Sequence, residues 1–138
     1  MRILIADDDP DEAFAMKSAL QRALADAEIQ IVDDGTSLIA RLDPRDGADD
    51  LAADDEDPRV ILLDLEMPKM GGLDVLKHLK GTEELRHLPV IVFSGHKDRQ
   101  MVDRAYHLGA NAYFEKPERL ADYQDVIDTV VGFWKRAA

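Results

Sequence analysis

The chain contains no cysteine, and no apolar run approaches the roughly 20 residues that a membrane-spanning helix needs. Disulfide bonds, thiolate catalysis and zinc–sulfur sites are therefore excluded. Basic residues are also scarce, with 17 lysines and arginines against 29 acids and a formal net charge of −12. This charge argues against nucleic acid and anionic membrane surfaces as direct partners. The first residues lack the apolar core and cleavage site of a signal peptide, so we expect a cytoplasmic protein.

Much of the acidic excess lies in one segment. Residues 43–58 carry eight acids, one arginine and two prolines, a net charge of −7. Because so little apolar surface cannot offset the entropy of ordering the segment, we predict a solvated loop inserted into a single domain that spans residues 1–138. A docking strip for a basic partner, or repulsion of wrong partners, is the alternative.

Elsewhere, short apolar runs alternate with amphipathic segments, a pattern typical of βαβ units. Five runs are predicted to be strands, several of them apolar on both faces as buried parallel strands must be: residues 3–6, 29–32, 60–63, 90–93 and 112–114. Helices are predicted to begin near Pro10, Thr36, Gly72, Asp98 and Leu120. The expected α/β fold is a flavodoxin-like, doubly wound five-stranded parallel sheet of order 2-1-3-4-5, with five helices.

The first and last helices carry the clearest local signals. Asp9 is predicted to be the N-cap of the first helix, with Pro10 at the first helical position. The fifth helix is predicted to turn an apolar stripe toward the core. That stripe consists of Leu120, Tyr123, Ile127, Val130, Val131 and Trp134.

Carboxylates follow two of the predicted strands. Asp7 and Asp8 come directly after the first strand, and Asp64 follows the third. In a sheet of this order the two strands are neighbours, and their carboxyl ends meet where ligands of doubly wound sheets bind. Carboxylates that close repel one another unless a cation joins them, and Mg²⁺ prefers hard oxygen ligands. We therefore predict a Mg²⁺ site with Asp7, Asp8 and Asp64.

The next two strand ends supply a hydroxyl and an ammonium group. Ser94 follows the fourth strand, and Lys116 follows the fifth. A serine hydrolase would need a histidine base and an oxyanion loop such as G-x-S-x-G, and neither surrounds Ser94. The set suits phosphoryl transfer better, because a carboxylate can form an aspartyl phosphate while a lysine and a hydroxyl bind the phosphoryl oxygens.

Four segments together carry a family resemblance. They are ILIADDDP at residues 3–10, VILLDLEMPKMGG at 60–72, VIVFSG at 90–95 and GANAYFEKP at 109–117. Through these motifs the chain strongly resembles a response-regulator receiver domain of two-component signalling. The resemblance covers essentially the whole chain apart from residues 43–58.

The resemblance implies a role for each acid. Asp64 would be the phosphoacceptor, Asp8 a direct Mg²⁺ ligand and Asp7 a ligand through water. The backbone carbonyl of Glu66 would complete the protein's share of the metal shell. Gly71 stands where the family often has an aspartate, which would weaken the cap of the third helix without touching a reacting group.

The resemblance also implies a conformational switch. Ser94 matches the switch hydroxyl, Lys116 the phosphate-binding lysine, and Tyr113 the aromatic residue whose ring moves when the hydroxyl engages phosphate. Pro117 matches the family's cis-peptide proline. Phosphorylation would shift a two-state equilibrium on the face formed by the fourth helix, the fifth strand and the fifth helix.

These roles imply a stand-alone regulator rather than an enzyme. It would accept a phosphoryl group from a sensor histidine kinase or a phosphotransfer protein and hydrolyse it slowly. Because the chain ends about twenty residues after Lys116, we expect no output module and a signal that leaves through binding. The Gly-Phe-Trp sequence at residues 132–134 also looks like the stand-alone regulators paired with bacterial phytochrome kinases.

Two other functional classes remain as alternatives. A Mg²⁺-dependent phosphatase with an aspartyl nucleophile would need a second aspartate where Glu66 stands. A pseudo-receiver would act as a constitutive binding scaffold, which the complete set of acids, hydroxyl and lysine disfavours.

Two loop residues are candidates for regulation. Glu66 and His96 lie two residues past Asp64 and Ser94, where they would touch the water that attacks the phosphoryl group. We hypothesise that they tune the lifetime of that group. The alternative is that both are ordinary exposed loop residues.

Apolar side chains outside the predicted core are candidates for docking. Phe14 lies off the apolar stripe of the first helix, beside the predicted site, and we hypothesise that it contacts the kinase. Tyr106, Val126 and Phe133 would form a second apolar strip on the fourth and fifth helices. This strip would serve a homodimer or another partner, with a wider core contact as the alternative.

Overall fold

The computed structural model describes residues 1–42, 59–96 and 98–137. The predicted loop at residues 43–58 lies outside the described residues. No helix in the described part of the chain is long and apolar enough to cross a membrane.

Five parallel strands form one sheet in the order β2-β1-β3-β4-β5, which confirms the predicted topology. The strands are β1 (Arg2–Ala6), β2 (Glu28–Val32), β3 (Arg59–Asp64), β4 (Val90–Ser94) and β5 (Ala112–Glu115). The helices are α1 (Pro10–Ala23), α2 (Gly35–Leu42), α3 (Gly72–Gly81), α4 (Arg99–His107) and α5 (Tyr123–Ala137).

The sheet is covered by helices on both faces. Successive side chains of β1 alternate between the two layers: Ile3 and Ile5 face one, while Leu4 and Ala6 face the other. The layer with Leu4 packs against α2, α3 and α4, and the layer with Ile3 packs against α1 and α5. Burial on both faces explains why β1, β3 and β4 contain continuous apolar runs.

The start of α1 confirms the predicted cap. The carboxylate of Asp9 accepts hydrogen bonds from the backbone N–H groups of Asp11 at 2.9 Å and Glu12 at 3.2 Å. Pro10 occupies the first helical position, where its missing N–H costs nothing. Helix α1 is therefore fixed directly at the carboxyl end of β1.

The start of α5 corrects one prediction. Leu120 is 52% exposed, whereas Tyr123, Ile127, Val130 and Val131 are buried as predicted and Trp134 is partly buried. Leu120 lies in a 3-10 turn, Leu120–Asp122, that precedes α5. Because a 3-10 turn advances three residues per turn rather than 3.6, Leu120 falls out of phase with the stripe of α5.

Two glycines connect β3 to α3. Gly71 is the N-cap of α3 and supplies no side-chain hydrogen bond, as expected for the missing aspartate. Gly72 is buried, and a Cβ atom there would lie 2.5 Å from the backbone oxygen of Asp64. The helix therefore begins in direct contact with the end of β3.

Candidate functional site

Asp7 and Asp64 lie side by side at the carboxyl edge of the sheet, and both are almost fully buried. Each uses its Oδ1 atom to cap its own loop. Asp7 Oδ1 accepts the N–H of Asp9 at 2.9 Å, and Asp64 Oδ1 accepts the N–H of Glu66 at 3.1 Å. Both Oδ2 atoms face Lys116, whose Nζ lies 3.3 Å from that of Asp7 and 3.1 Å from that of Asp64.

Glu12 is a third acid of this site, and it was not among the sequence candidates. Its Oε2 atom accepts a hydrogen bond from Lys116 Nζ at 2.6 Å. Glu12 lies in the first turn of α1, three residues after Asp9. The available signal was an acidic residue in the first turn of a helix that starts directly at the edge where Asp7 stands.

Burial and charge shift the pKa values of these groups. Burial raises the pKa of Asp7 from its ordinary 3.8 to about 7, against the lowering effects of the Asp9 N–H and Lys116. Burial also raises the pKa of Asp64. For Lys116, burial lowers the pKa, but the hydrogen bond to Glu12 and the charges of Asp64 and Asp7 outweigh it and raise the pKa above the ordinary range. The lysine therefore stays an ammonium group.

The acids fit a hard divalent cation. Oxygen atoms of Asp7, Glu12 and Asp64 lie within 4.8 Å of one another. The buried Oδ2 atom of Asp7 has no hydrogen-bond partner among the described residues. A carboxylate oxygen in that position is available as a ligand, and three carboxylates match the preference of Mg²⁺ for oxygen.

Asp8 is placed differently from Asp7. It is exposed at the edge of the site and lies outside the group of three acids, although its negative charge raises the pKa of Asp64. Glu66 supplies its backbone N–H to Asp64, and its side chain points toward solvent.

Ser94 and Tyr113 both bind the loop that follows β4. Ser94 is fully buried, and its Oγ accepts the N–H of His96 at 3.1 Å. The hydroxyl of Tyr113 donates to the carbonyl of His96 at 2.9 Å. The two predicted switch residues are therefore joined through one loop residue.

His96 also contacts Glu66 through its side chain. The imidazole Nε2 lies against the Glu66 carboxylate, which connects the loop after β4 with the loop after β3. Glu66 is linked to Asp64 as well, through its backbone N–H. Both side chains remain substantially exposed, at 40% and 67%.

The candidate docking residues are exposed or partly buried. Phe14 is 69% exposed and lines a groove of about 450 Å³ between α1 and α5, which the exposed Leu120 also lines. Tyr106 is 48% exposed and Phe133 41%, while Val126 is partly buried against the core.

Pro117 corrects another expectation. The described residues contain no cis peptide bond, so the bond between Lys116 and Pro117 is trans. Trans is the lower-energy isomer for residues before proline. With this bond trans, the Lys116 N–H still donates to the Ser94 carbonyl at 2.9 Å and the ammonium group still reaches the acids.

Comparison with known proteins finds matches over nearly the full chain. Response regulator Rcp1 of Synechocystis is 28% identical over 132 residues, which cover 96% of this chain and 87% of that protein. The solved structure of the phosphorylated cyanobacterial phytochrome response regulator RcpA superposes with a TM-score of 0.84 at 27% identity, covering 99% of this chain and 95% of that one. The Mn²⁺-bound form of Rcp1 superposes with a TM-score of 0.81 at 28% identity, covering 96% of this chain and 93% of that one.

The family match accounts for the fold. Residues 3–128 match the response regulator receiver domain, and the sheet order and helix arrangement are those of its solved members. The chain therefore belongs to the response regulator receiver domain family.

Proposed function

We propose that this protein is a phosphoacceptor switch in which Asp64 receives a phosphoryl group from a sensor histidine kinase or a phosphotransfer protein. The observation that carries the proposal is the pairing of the buried Asp64 carboxylate with the ammonium group of Lys116, at 3.1 Å. A carboxylate at the end of a central strand, next to a fixed cation, is suited to attack on phosphorus.

The chemistry transfers one group between two nucleophiles. A carboxylate oxygen of Asp64 forms a bond to the phosphorus of a phosphohistidine as the bond from phosphorus to the imidazole nitrogen breaks. Lys116 and the hydroxyl of Ser94 then bind phosphoryl oxygens. A Mg²⁺ ion held by Asp7, Asp8, Asp64 and the carbonyl of Glu66 would neutralise the charge that builds up on those oxygens.

Two similar proteins support this proposal by what their structures contain. RcpA is described in its phosphorylated form, and Rcp1 in a form with bound Mn²⁺. Mn²⁺ and Mg²⁺ both take oxygen ligands in octahedral geometry. The carboxylates gathered at this edge, those of Asp7, Glu12 and Asp64, offer ligand atoms of the same chemical type.

The signal leaves through the loop after β4. When Ser94 turns to the phosphoryl group, it must release the N–H of His96, and Tyr113 is bonded to the carbonyl of the same residue. A change at Ser94 is thereby passed to the surface formed by α4, β5 and α5, where Tyr106 and Phe133 are exposed. We propose that this surface forms a homodimer or binds a downstream partner.

The kinase docks at the other side of the site. Phe14 and Leu120 present apolar surface on the groove between α1 and α5, next to the edge that carries Asp64. The similarity to Rcp1 and RcpA supports a phytochrome-type sensor histidine kinase as the donor.

Phosphorylation by a small-molecule donor tests the function. The protein is incubated with Mg²⁺ and phosphoramidate, and the product is examined by intact-mass spectrometry and by its stability in acid and base. We expect one acid-stable, base-labile phosphoryl group, absent in Asp64→Asn. No adduct at all would leave a pseudo-receiver scaffold as the better description, and rapid turnover of phosphate esters would instead indicate a phosphatase.

A further inference from the structure

Lys116 has a partner that the transfer chemistry does not require. Its ammonium group lies 2.6 Å from Glu12, 3.1 Å from Asp64 and 3.3 Å from Asp7. The contact with Glu12 is the shortest and is a hydrogen bond, whereas Asp7 Oδ2 has no hydrogen-bond partner among the described residues. A phosphoryl group on Asp64 that binds Lys116 therefore competes with these carboxylates, and above all with Glu12.

Glu12 holds the contact that can be given up most easily. Asp7 and Asp64 are buried, and each is fixed by a backbone hydrogen bond within its own loop. The Glu12 side chain is 26% exposed and stands on the first turn of α1. Its longer side chain can rotate without moving the sheet.

The hydroxyl of Tyr123 is a donor without an acceptor. Tyr123 is 2% exposed, at the start of α5, and its oxygen has no hydrogen-bond partner among residues 1–42, 59–96 and 98–137. Its ring packs in the layer that joins α1 to α5. Burial raises the pKa of this hydroxyl, and the negative charge of Glu12 raises it further. Glu12 is therefore close enough to interact electrostatically with the Tyr123 hydroxyl. A buried hydroxyl left unpaired is costly, and a carboxylate is the acceptor it lacks.

We propose that Glu12 is a positioning residue with two arrangements, one in which it holds Lys116 and one in which it accepts a hydrogen bond from Tyr123 while a phosphoryl group occupies Lys116. No bond other than hydrogen bonds changes between the two arrangements. This inference rests on the proposed phosphorylation of Asp64. It makes Glu12 a competitor of the phosphoryl group and Tyr123 the group that relieves the competition.

Glu12→Gln tests the first arrangement. At saturating Mg²⁺, we expect phosphorylation by phosphoramidate to be roughly three- to tenfold faster than in the wild type, because Lys116 is released from a charge-assisted hydrogen bond. Asp11→Asn is the matched control. It removes the same charge from the neighbouring exposed residue, which has no contact with Lys116, and it should change the rate by less than about twofold.

Tyr123→Phe tests the second arrangement. Loss of an unpaired buried hydroxyl should leave the unphosphorylated protein as stable as the wild type or more stable. The rate of phosphorylation should nevertheless fall by roughly threefold, because Glu12 has lost its alternative partner. In the Glu12→Gln background, the same change should have no further effect on the rate.

Three results would overturn the inference. They are a Glu12→Gln rate no higher than that of Asp11→Asn, an equal effect of Tyr123→Phe in both backgrounds, and a Tyr123→Phe protein that is less stable before phosphorylation. Failure of the proposed function looks different, because the wild type itself would then form no adduct that depends on Asp64.

Discussion

Asp7 links pH, stability and metal binding. Its pKa is about 7 in the folded chain, against an ordinary 3.8. In the absence of metal, the folded chain therefore keeps a proton at pH 5 to 6 that the unfolded chain has already released. The contribution of Asp7 to the free energy of unfolding falls as pH rises from about 4 to about 7 and is constant above that range. Asp64 acts in the same direction.

We predict that metal-free protein loses thermal stability between pH 5 and pH 8 and that Asp7→Asn removes much of this loss. At pH 8 the substitution should raise the free energy of unfolding by about 1 to 3 kcal/mol, because it removes a buried charge. Circular dichroism melts with a chelator across this pH range measure the effect. Asp26→Asn, at an exposed position far from the site, is the control and should keep the slope of the wild type.

We predict that the contact between His96 and Glu66 protects the phosphorylated state. The Glu66 N–H donates to Asp64, and the Glu66 side chain contacts His96. We therefore expect that separating the two side chains admits water to the phosphoryl group. His96→Ala and Glu66→Asn should each shorten the lifetime of the adduct by roughly two- to fivefold, as expected for a partly exposed polar contact. The measurement is the decay of the adduct after removal of the donor. Unchanged decay in both variants would contradict a role for this pair.

The convergence of Asp7, Asp64 and Lys116 could be predicted from the sequence, because strand order alone brings the ends of parallel strands to one edge. Glu12 could not be found in this way. Its approach to Lys116 depends on the direction in which α1 leaves β1, which is set by the cap at Asp9. Asp8 follows Asp7 directly but is exposed and lies outside the group of three acids, so adjacency in the sequence did not place it in that group.

Among the elements, α1 carries both a cap and an exposed apolar residue, and each leads to a prediction. Asp9→Ala should lower the free energy of unfolding by about 1 kcal/mol, since two backbone N–H groups lose their acceptor. Asp9→Ser keeps a capping oxygen and should retain most of the stability. Thermal or urea unfolding measures the difference, and equal losses in both variants would show that the cap is not the cause.

Phe14 on α1 is expected to act in recognition and not in chemistry. Phe14→Ala should slow phosphoryl transfer from the kinase by roughly tenfold, the usual size for an aromatic anchor. The rate with phosphoramidate should stay at the wild-type value, because Phe14 does not contact the acids. Phe133→Ala is the control, because it removes an exposed aromatic ring that does not line this groove. A normal rate of transfer from the kinase in Phe14→Ala would refute the docking role.

The helices show where periodicity is a good predictor and where it fails. The apolar stripe of α5 was predicted correctly from Tyr123 onward, because the regular α-helical repeat begins at that residue. Leu120 was misplaced because the backbone before Tyr123 follows a tighter turn. A local change of helix type carries no strong signal in side-chain hydrophobicity, so only the structure could correct it.

At the scale of the whole molecule, the sheet order followed from the alternation of short apolar runs and amphipathic segments, since right-handed crossovers leave few other arrangements. What such patterns cannot specify is which exposed face is used for assembly. That choice depends on a partner surface that is not encoded in the chain's own core.

We predict that phosphorylation promotes assembly through the surface formed by α4, β5 and α5. Analytical ultracentrifugation with and without an acyl-phosphate mimic should show a shift from monomer to dimer. Phe133→Ala should weaken the dimer by roughly tenfold, whereas Phe14→Ala, the reciprocal control, should leave it intact. A monomer under both conditions would refute the dimer.

The packing of Gly72 against the backbone of Asp64 has a consequence for how the sequence can change. Any residue with a side chain at this position would push α3 away from the strand that presents the phosphoacceptor, since its Cβ would lie 2.5 Å from a backbone oxygen. Gly71, one residue earlier, has no such neighbour, because a Cβ there would lie 3.9 Å from the closest atom. Two identical adjacent residues therefore differ sharply in their tolerance, and a library of variants should accept many residues at the first and almost none at the second.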